Sequence, residues 1–262
     1  MREAFPRFVA ERCRPGDDCA TLPANCSSAA HRFGGWHLRL ASTASFGLNP
    51  DMPVNPTNPE RFTTALRRFD EANARDPNHE SVNGSPRPRE LIYAGWLTDW
   101  LLRLCPDASE PLRLAARCQH LCRWEIPRDS YPLNRPGYLR WRADLKKFHA
   151  QKAGEILREV GYDEATIQRV QELNLKKNFP DDPETCVLED ALCLVFLERQ
   201  FTALAAKSED KKMINALQKS WLKMSPIAHA EALKLNYGSR EKALIERALS
   251  QQSKFESRRD SH

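Results

Sequence analysis

No apolar run in this chain reaches the roughly 18 residues that a membrane-spanning helix needs. The strongest candidate, Leu192 to Leu197, is fenced by Asp190 and Glu198. That predicts a soluble protein with no membrane partner. A Gly-rich phosphate loop and strand-like alternation are also missing, which sets aside P-loop and dinucleotide-binding folds. Eight cysteines are present, but with no Cys-x-x-Cys pair and no Cys/His spacing of zinc-finger type. Cys118 and Cys122 stand one helical turn apart on an apolar stripe and read as buried, reduced thiols. A reducing, cytoplasmic compartment is therefore expected. The net charge of +5 is too mild and too dispersed for a nucleic-acid footprint, though it permits an anionic partner.

What is present divides unevenly. Residues 1–56 have no sustained periodicity and read as a low-structure extension. Their Arg, Ser and Ala content suits an organelle transit peptide and hence import, whereas Glu3, Glu11, Asp17 and Asp18 do not; a natural start at Met52 is the simpler alternative. From 57 to 236 the pattern is helical. The pairs Asn58-Pro59, Asp182-Pro183 and Ser225-Pro226 each place a capping side chain before a first-turn proline. Between these starts the apolar periodicity predicts helices at about Arg89–Leu104, Glu110–Trp124 and from Pro136 to a Gly161 cap, then one that begins after Asp163 and passes through Lys177, and one from Glu184 to about Ala205. Two more are expected at Glu209–Met224 and Pro226–Leu235. The stretch DPNHESVNGSPRP reads as a loop. Residues 237–262 are expected to form a short amphipathic helix with a polar, unstructured tail. The fold class is all-α, in one domain.

The chemistry concentrates between Ala115 and His149. There Arg123, Arg128, Arg135, Arg140 and Arg142 surround a proline-punctuated loop together with His120, His149, Trp124 and Trp141. Arginine is the side chain that grips phosphate and carboxylate in a planar fork, and it stacks on aromatic rings. A phosphate clamp, a structural network tying the loop to helix ends, and a solvated surface all remain open for these arginines. His120 and His149 are candidate proton-transfer residues; each could equally be a core histidine held by a backbone carbonyl. The helical stripe places Arg142 and His149 inward. On the later helix, Asp190 falls in an apolar row and requires a partner.

The order of these segments resembles the HD superfamily of helical metal-dependent phosphohydrolases, over roughly Leu91 to Arg199. AARCQH stands where that family has an Ala-rich helix ending in His-Asp, HAQKAGEILREVGYDEATIQRVQELNLKK where it has a His-led helix, and LEDALCLVFLER where it has its late Asp. The resemblance puts Tyr93 at the first metal-binding His, Gln119 and His120 at the His-Asp pair, His149 at an accessory His, Lys177 at another, and Asp190 at the late Asp. Only Asp190 of the four core ligands is kept. Lys177 is then expected to neutralise Glu189 and Asp190 in place of a metal. The alternative is a rebuilt divalent-metal site from His120, His149, Glu189 and Asp190. The metal-free state is favoured.

A longer resemblance, from about Arg61 to Leu233, is to the domain-of-unknown-function family 4202, some of whose members carry a glutamyl-tRNA synthetase label. It is carried by RFDEANARDPN, PDASEPLRLAARCQHLCRW, IPRDSYPLNRPGYLRWRADLKKFHA and LEDALCLVFLERQF. Lys223-Met224-Ser225 resembles part of a synthetase nucleotide clamp, but no His-x-Gly-His partner accompanies it. Two functions are expected to compete. One is an enzyme acting on a phosphorylated or nucleotide-like small molecule, with Arg123, Arg128, Arg135, Arg142, Trp124, Trp141 and Lys177 holding the ligand. The other is a non-catalytic anion sensor or adaptor. Nucleic acid is the weaker partner.

Overall fold

The computed structural model describes residues 56–259, with side chains through residue 250. The readings made for the segment before residue 56 lie outside the described residues. Within them the chain is all-α: α1 (Pro59–Asn73), α2 (Arg89–Leu104), α3 (Glu110–Cys118), α4 (Arg135–Val160), α5 (Glu164–Leu175), α6 (Pro183–Val195), α7 (Phe201–Ala206), α8 (Asp210–Trp221), α9 (Pro226–Lys234) and α10 (Ser239–Arg259). No helix among them is long and apolar enough to cross a membrane.

The helix starts lie where capping chemistry puts them. Asn58, Asp182 and Ser225 each accept a backbone N–H of the first turn, and each is followed directly by proline, which loses nothing at a position whose N–H is unpaired anyway. α4 opens behind Asn134 and closes on Gly161 at φ 87. α4 and α5 then pack as a hairpin, α2 lies along α6, α3 is wedged against α1, α2 and α5, and α10 folds back on α8. One core runs through them, from Phe69 on α1 through Leu97, Leu101, Leu112 and Leu157 to Leu188 and Phe201, all fully buried. Each such side chain contributes about 1.5–3 kcal/mol by leaving water. Leu244, Ile245 and Ala248 of α10 belong to that core.

The structure corrects the sequence reading at three joints. The expected loop after α1 contains a β-hairpin, β1 (His79–Val82) paired with β2 (Ser85–Pro88). Its turn is Asn83-Gly84, both with positive φ, the geometry that matches the twist of paired strands and that this dipeptide favours. Next, α3 stops at Cys118 rather than Trp124, because Cys122 is left-handed at φ 53 and its N–H donates to Asn73 Oδ1 at 3.0 Å. Finally, α5 stops at Leu175 and Lys176 is left-handed at φ 57. The last two joints decide which side chains meet in the site.

The thiols behave as core atoms. Cys118 is buried, receives Asn174 Nδ2 at 3.2 Å, and burial pushes its thiol up to about 12. Cys105, Cys118, Cys122, Cys186 and Cys193 are all unpaired by disulfides.

Candidate functional site

Four helix termini and two helix interiors deliver charge to one place. The β-hairpin returns the chain so that α2 starts at Arg89, and Asp76 caps that start by accepting the Glu90 N–H at 3.0 Å. Glu90 is consequently buried in the first turn of α2, with Tyr93 one turn on. Because α3 ends early, the chain winds tightly through Gln119–Cys122 and turns His120 and Arg123 onto these residues. Tyr93 and His120 stack at 4.3 Å between ring centroids, with planes 19° apart. His120 Nδ1 lies 3.4 Å from Glu90 Oε2, while Arg89 and Arg123 approach the other oxygen at 3.5 and 4.0 Å.

α4 brings His149 from the other side, its ring centroid 5.9 Å from that of His120. His149 is 3% exposed, and its Nδ1 lies 2.8 Å from the Leu121 carbonyl. A carbonyl only accepts, so Nδ1 carries the proton and Nε2 is left as a bare acceptor. That Nε2 is buried and has no hydrogen-bond partner in the protein. Burial, His120 and Arg123 hold the imidazole neutral, lowering its pKa to about 3. Burial followed by Arg123, Arg142, Lys176 and Arg89 pulls His120 well below the ordinary range as well.

On α6, Glu189 is buried at 2% exposure and forms an ion pair with Lys176; Lys223, just before α9, is 3.8 Å from its second oxygen. Burial alone would raise the Glu189 carboxyl, but Lys176, Lys223 and Arg142 outweigh it and keep it below the usual carboxylate range. Glu90, by contrast, is raised: burial dominates and Arg123 and Arg89 only partly offset it. The neighbourhood thus sets the cations of Arg89, Arg123, Arg142, Lys176 and Lys223 against the carboxylates of Glu90 and Glu189, around two neutral histidines. His120 keeps 23% of its side-chain surface and forms the exposed edge of this group.

Of the residues singled out in the sequence, Tyr93, His120, His149, Arg123, Arg142 and Glu189 meet here. Others do not. Arg128 is turned back on its own loop, donating to the carbonyls of Tyr131, Pro132 and Asn134 at 3.0, 2.8 and 3.4 Å. Arg135 is exposed. Trp124 packs on the main core. Trp141 is buried in a satellite core with Tyr138 and Leu145, donates to the Ile126 carbonyl at 2.9 Å and carries the Arg123 guanidinium on its face at 4.9 Å. It supports an arginine. Gly137 lets the loop close, since any Cβ there would collide with the Pro132 carbonyl.

Lys177 is also misplaced by the helical projection. It is exposed, 3.9 Å from Glu172, and the left-handed residue before it gives the inward role to Lys176. Asp190 is buried, but its partner is the Ser225 N–H at 2.8 Å, so it anchors the start of α9 and does not meet Lys177. Nor do His120, His149, Glu189 and Asp190 assemble as a ligand set: among the described residues no group of three or more His, Cys, Asp or Glu side chains is arranged to hold a metal ion. Sequence reasoning missed Glu90, Arg89 and Lys176, and met Lys223 only in the Lys223-Met224-Ser225 resemblance, without its contact to Glu189. An acidic residue in a first turn reads as an ordinary complement to the helix dipole, so Glu90 gave no signal of its own.

Residues 63–245 match the family described as a domain of unknown function, DUF4202, and the chain belongs to that family. The match spans the helices from α1 into α10, and so contains every residue of the cluster. Comparison with curated proteins and with solved structures returned no match.

Proposed function

We propose that this cluster binds a phosphorylated or nucleotide-like small molecule, with Arg123, Arg142, Lys176 and Lys223 receiving the anion and His120 or His149 handling a proton. The observation that carries the reading is the approach of Arg89, Arg123, Lys176 and Lys223 to two buried carboxylates beside two neutral imidazoles, with the buried His149 Nε2 left as an unpartnered acceptor. Phosphate contacts are charge-assisted and strengthen where water is partly excluded. The Glu90–His120 contact adds the orienting carboxylate that a general base uses to fix its tautomer. The helix order, with Tyr93, His120 and His149 gathered at one place, also supports reading the architecture as a divergent HD-like fold.

A second reading is favoured by two specific contacts. Lys176 already neutralises Glu189, and Tyr93 covers one face of the His120 ring, which suits a pocket that holds an anion without transforming it. That is a sensor or adaptor. A panel of nucleotides and sugar phosphates, followed by calorimetry and by analysis of the recovered ligand, separates the two. The expected result is binding that weakens at least about tenfold in Arg123→Ala and declines with salt. Chemical change in the ligand supports the enzyme, and recovery of intact ligand supports the sensor. If no compound binds more tightly to the wild type than to the Arg123→Ala/Arg142→Ala double variant, the anion pocket itself is wrong.

A further inference from the structure

The cations of the cluster and its bare acceptors lie at different depths. Side-chain exposure is 45% for Arg89, 29% for Lys223 and 17% for Arg123, but 3% for Glu189, and His149 as a residue is 3% exposed. Two buried acceptors find no hydrogen-bond donor in the protein: His149 Nε2 and Glu189 Oε2. His149 cannot turn its ring to relieve this without giving up the 2.8 Å bond from Nδ1 to the Leu121 carbonyl. The guanidinium nearest to it in effect, Arg123, is held against Trp141 and Glu90.

Buried acceptors fixed by a second hydrogen bond are unfavourable unless a donor reaches them. A phosphate monoester dianion cannot be that donor, since its terminal oxygens only accept. We propose that the ligand is a phosphate ester of a hydroxylated compound, seated with its phosphate among Arg123, Arg142 and Lys223 and with a hydroxyl donating to the buried His149 Nε2. This deepens the anion-pocket reading and rests on it. Selectivity follows from the chemistry: a site built to pair with a hydroxyl rejects an analogue lacking it far more strongly than an apolar pocket rejects a small change of shape.

The test compares two phosphate monoesters of equal carbon number, ribose 5-phosphate and n-pentyl phosphate, titrated calorimetrically into the full chain. Ribose 5-phosphate is expected to bind at least about tenfold more tightly, and the preference is expected to vanish in His149→Phe. A second readout uses only the wild type: in protein labelled with 15N at histidine, the His149 Nε2 resonance is expected to move upfield with ribose 5-phosphate and to stay in place with n-pentyl phosphate. Equal affinity for the two esters, or an unmoved Nε2 resonance in the ribose 5-phosphate complex, overturns this inference while leaving an anion pocket standing. Failure of both esters to bind overturns the anion pocket and this inference together.

Discussion

Helix α6 carries two polar clusters that look alike in composition and differ in their accounts. At its start, Arg169 reaches across to Asp182 with bonds of 2.7 and 2.9 Å and to Glu184 with bonds of 2.6 and 3.1 Å, while Ser109 donates to the other oxygen of Glu184. Every charge there has a geometric answer. Further along the same helix, Glu189 is paired with Lys176, yet one of its oxygens has no hydrogen bond, and the surrounding positive charge exceeds the negative. The first cluster ties α5 to the start of α6. The second leaves the buried acceptors His149 Nε2 and Glu189 Oε2 without a hydrogen bond. Satisfaction of each polar atom, more than the number of charged residues, separates a structural network from a binding site.

The sharpest way to break that distinction is to remove one cation from each cluster. Lys176→Met leaves Glu189 buried without its ion-pair partner, with Lys223 and Arg142 more distant, and is expected to lower unfolding stability by about 3 kcal/mol in urea titrations. Adding Glu189→Leu is expected to recover at least half of the loss, since the uncompensated charge leaves with it. Arg169→Met removes several bonds from a less buried pair of carboxylates and is expected to cost about 2 kcal/mol without changing ligand affinity. Equal losses in affinity for the two single variants would erase the distinction.

Acid distinguishes the clusters in a second way. His149 titrates near 6.5 when unfolded and is held down to about 3 when folded, so the unfolded chain takes up a proton that the folded chain refuses. Its contribution is complete above pH 6.5 and is lost as pH falls, at about 1.4 kcal/mol per pH unit. By pH 5 the chain is expected to have lost about 2 kcal/mol through His149, with His120 acting in the same direction. Urea titrations at pH 7, 6 and 5 measure the slope, which His149→Leu is expected to reduce. A bound anion is expected to flatten it too, because negative charge beside the imidazoles favours their protonation in the folded state.

The smallest effects belong to the arginine loop. Arg128→Ala is expected to cost about 1 kcal/mol in thermal unfolding by freeing three backbone carbonyls, with ligand affinity unchanged. Arg135→Ala is expected to stay within about 0.5 kcal/mol of the wild type. A tenfold loss of affinity in either variant would return those side chains to the pocket.

The pattern of these residues shows what a sequence displays of its own fold. The helix starts were legible because a cap and its proline are local neighbours: Asn58-Pro59, Asp182-Pro183 and Ser225-Pro226 all start helices where expected. Periodicity also turned His149 and Arg142 to the correct face of α4. It failed where one residue leaves right-handed backbone. Cys122 ends the projection of α3, and Lys176 exchanges roles with Lys177. The Asn83-Gly84 turn was a local signal left unread. Glu90 was not legible at all, and the pairing of Lys223 with Glu189 was not either, since each acquires its place only from partners far away along the chain.

Gly137 shows how narrowly the site's scaffold is encoded. Its position lies inside α4, where helical backbone asks for no glycine, and the demand comes from the Pro132 carbonyl that passes over it. The loop closed by that approach carries Trp141's partner carbonyl at Ile126, and Trp141 in turn carries Arg123. Every missense change in a glycine codon adds at least one carbon atom. The position therefore has no conservative neighbour in sequence space, and the inheritance of the arginine's seat passes through a single codon that can only be kept or compensated elsewhere.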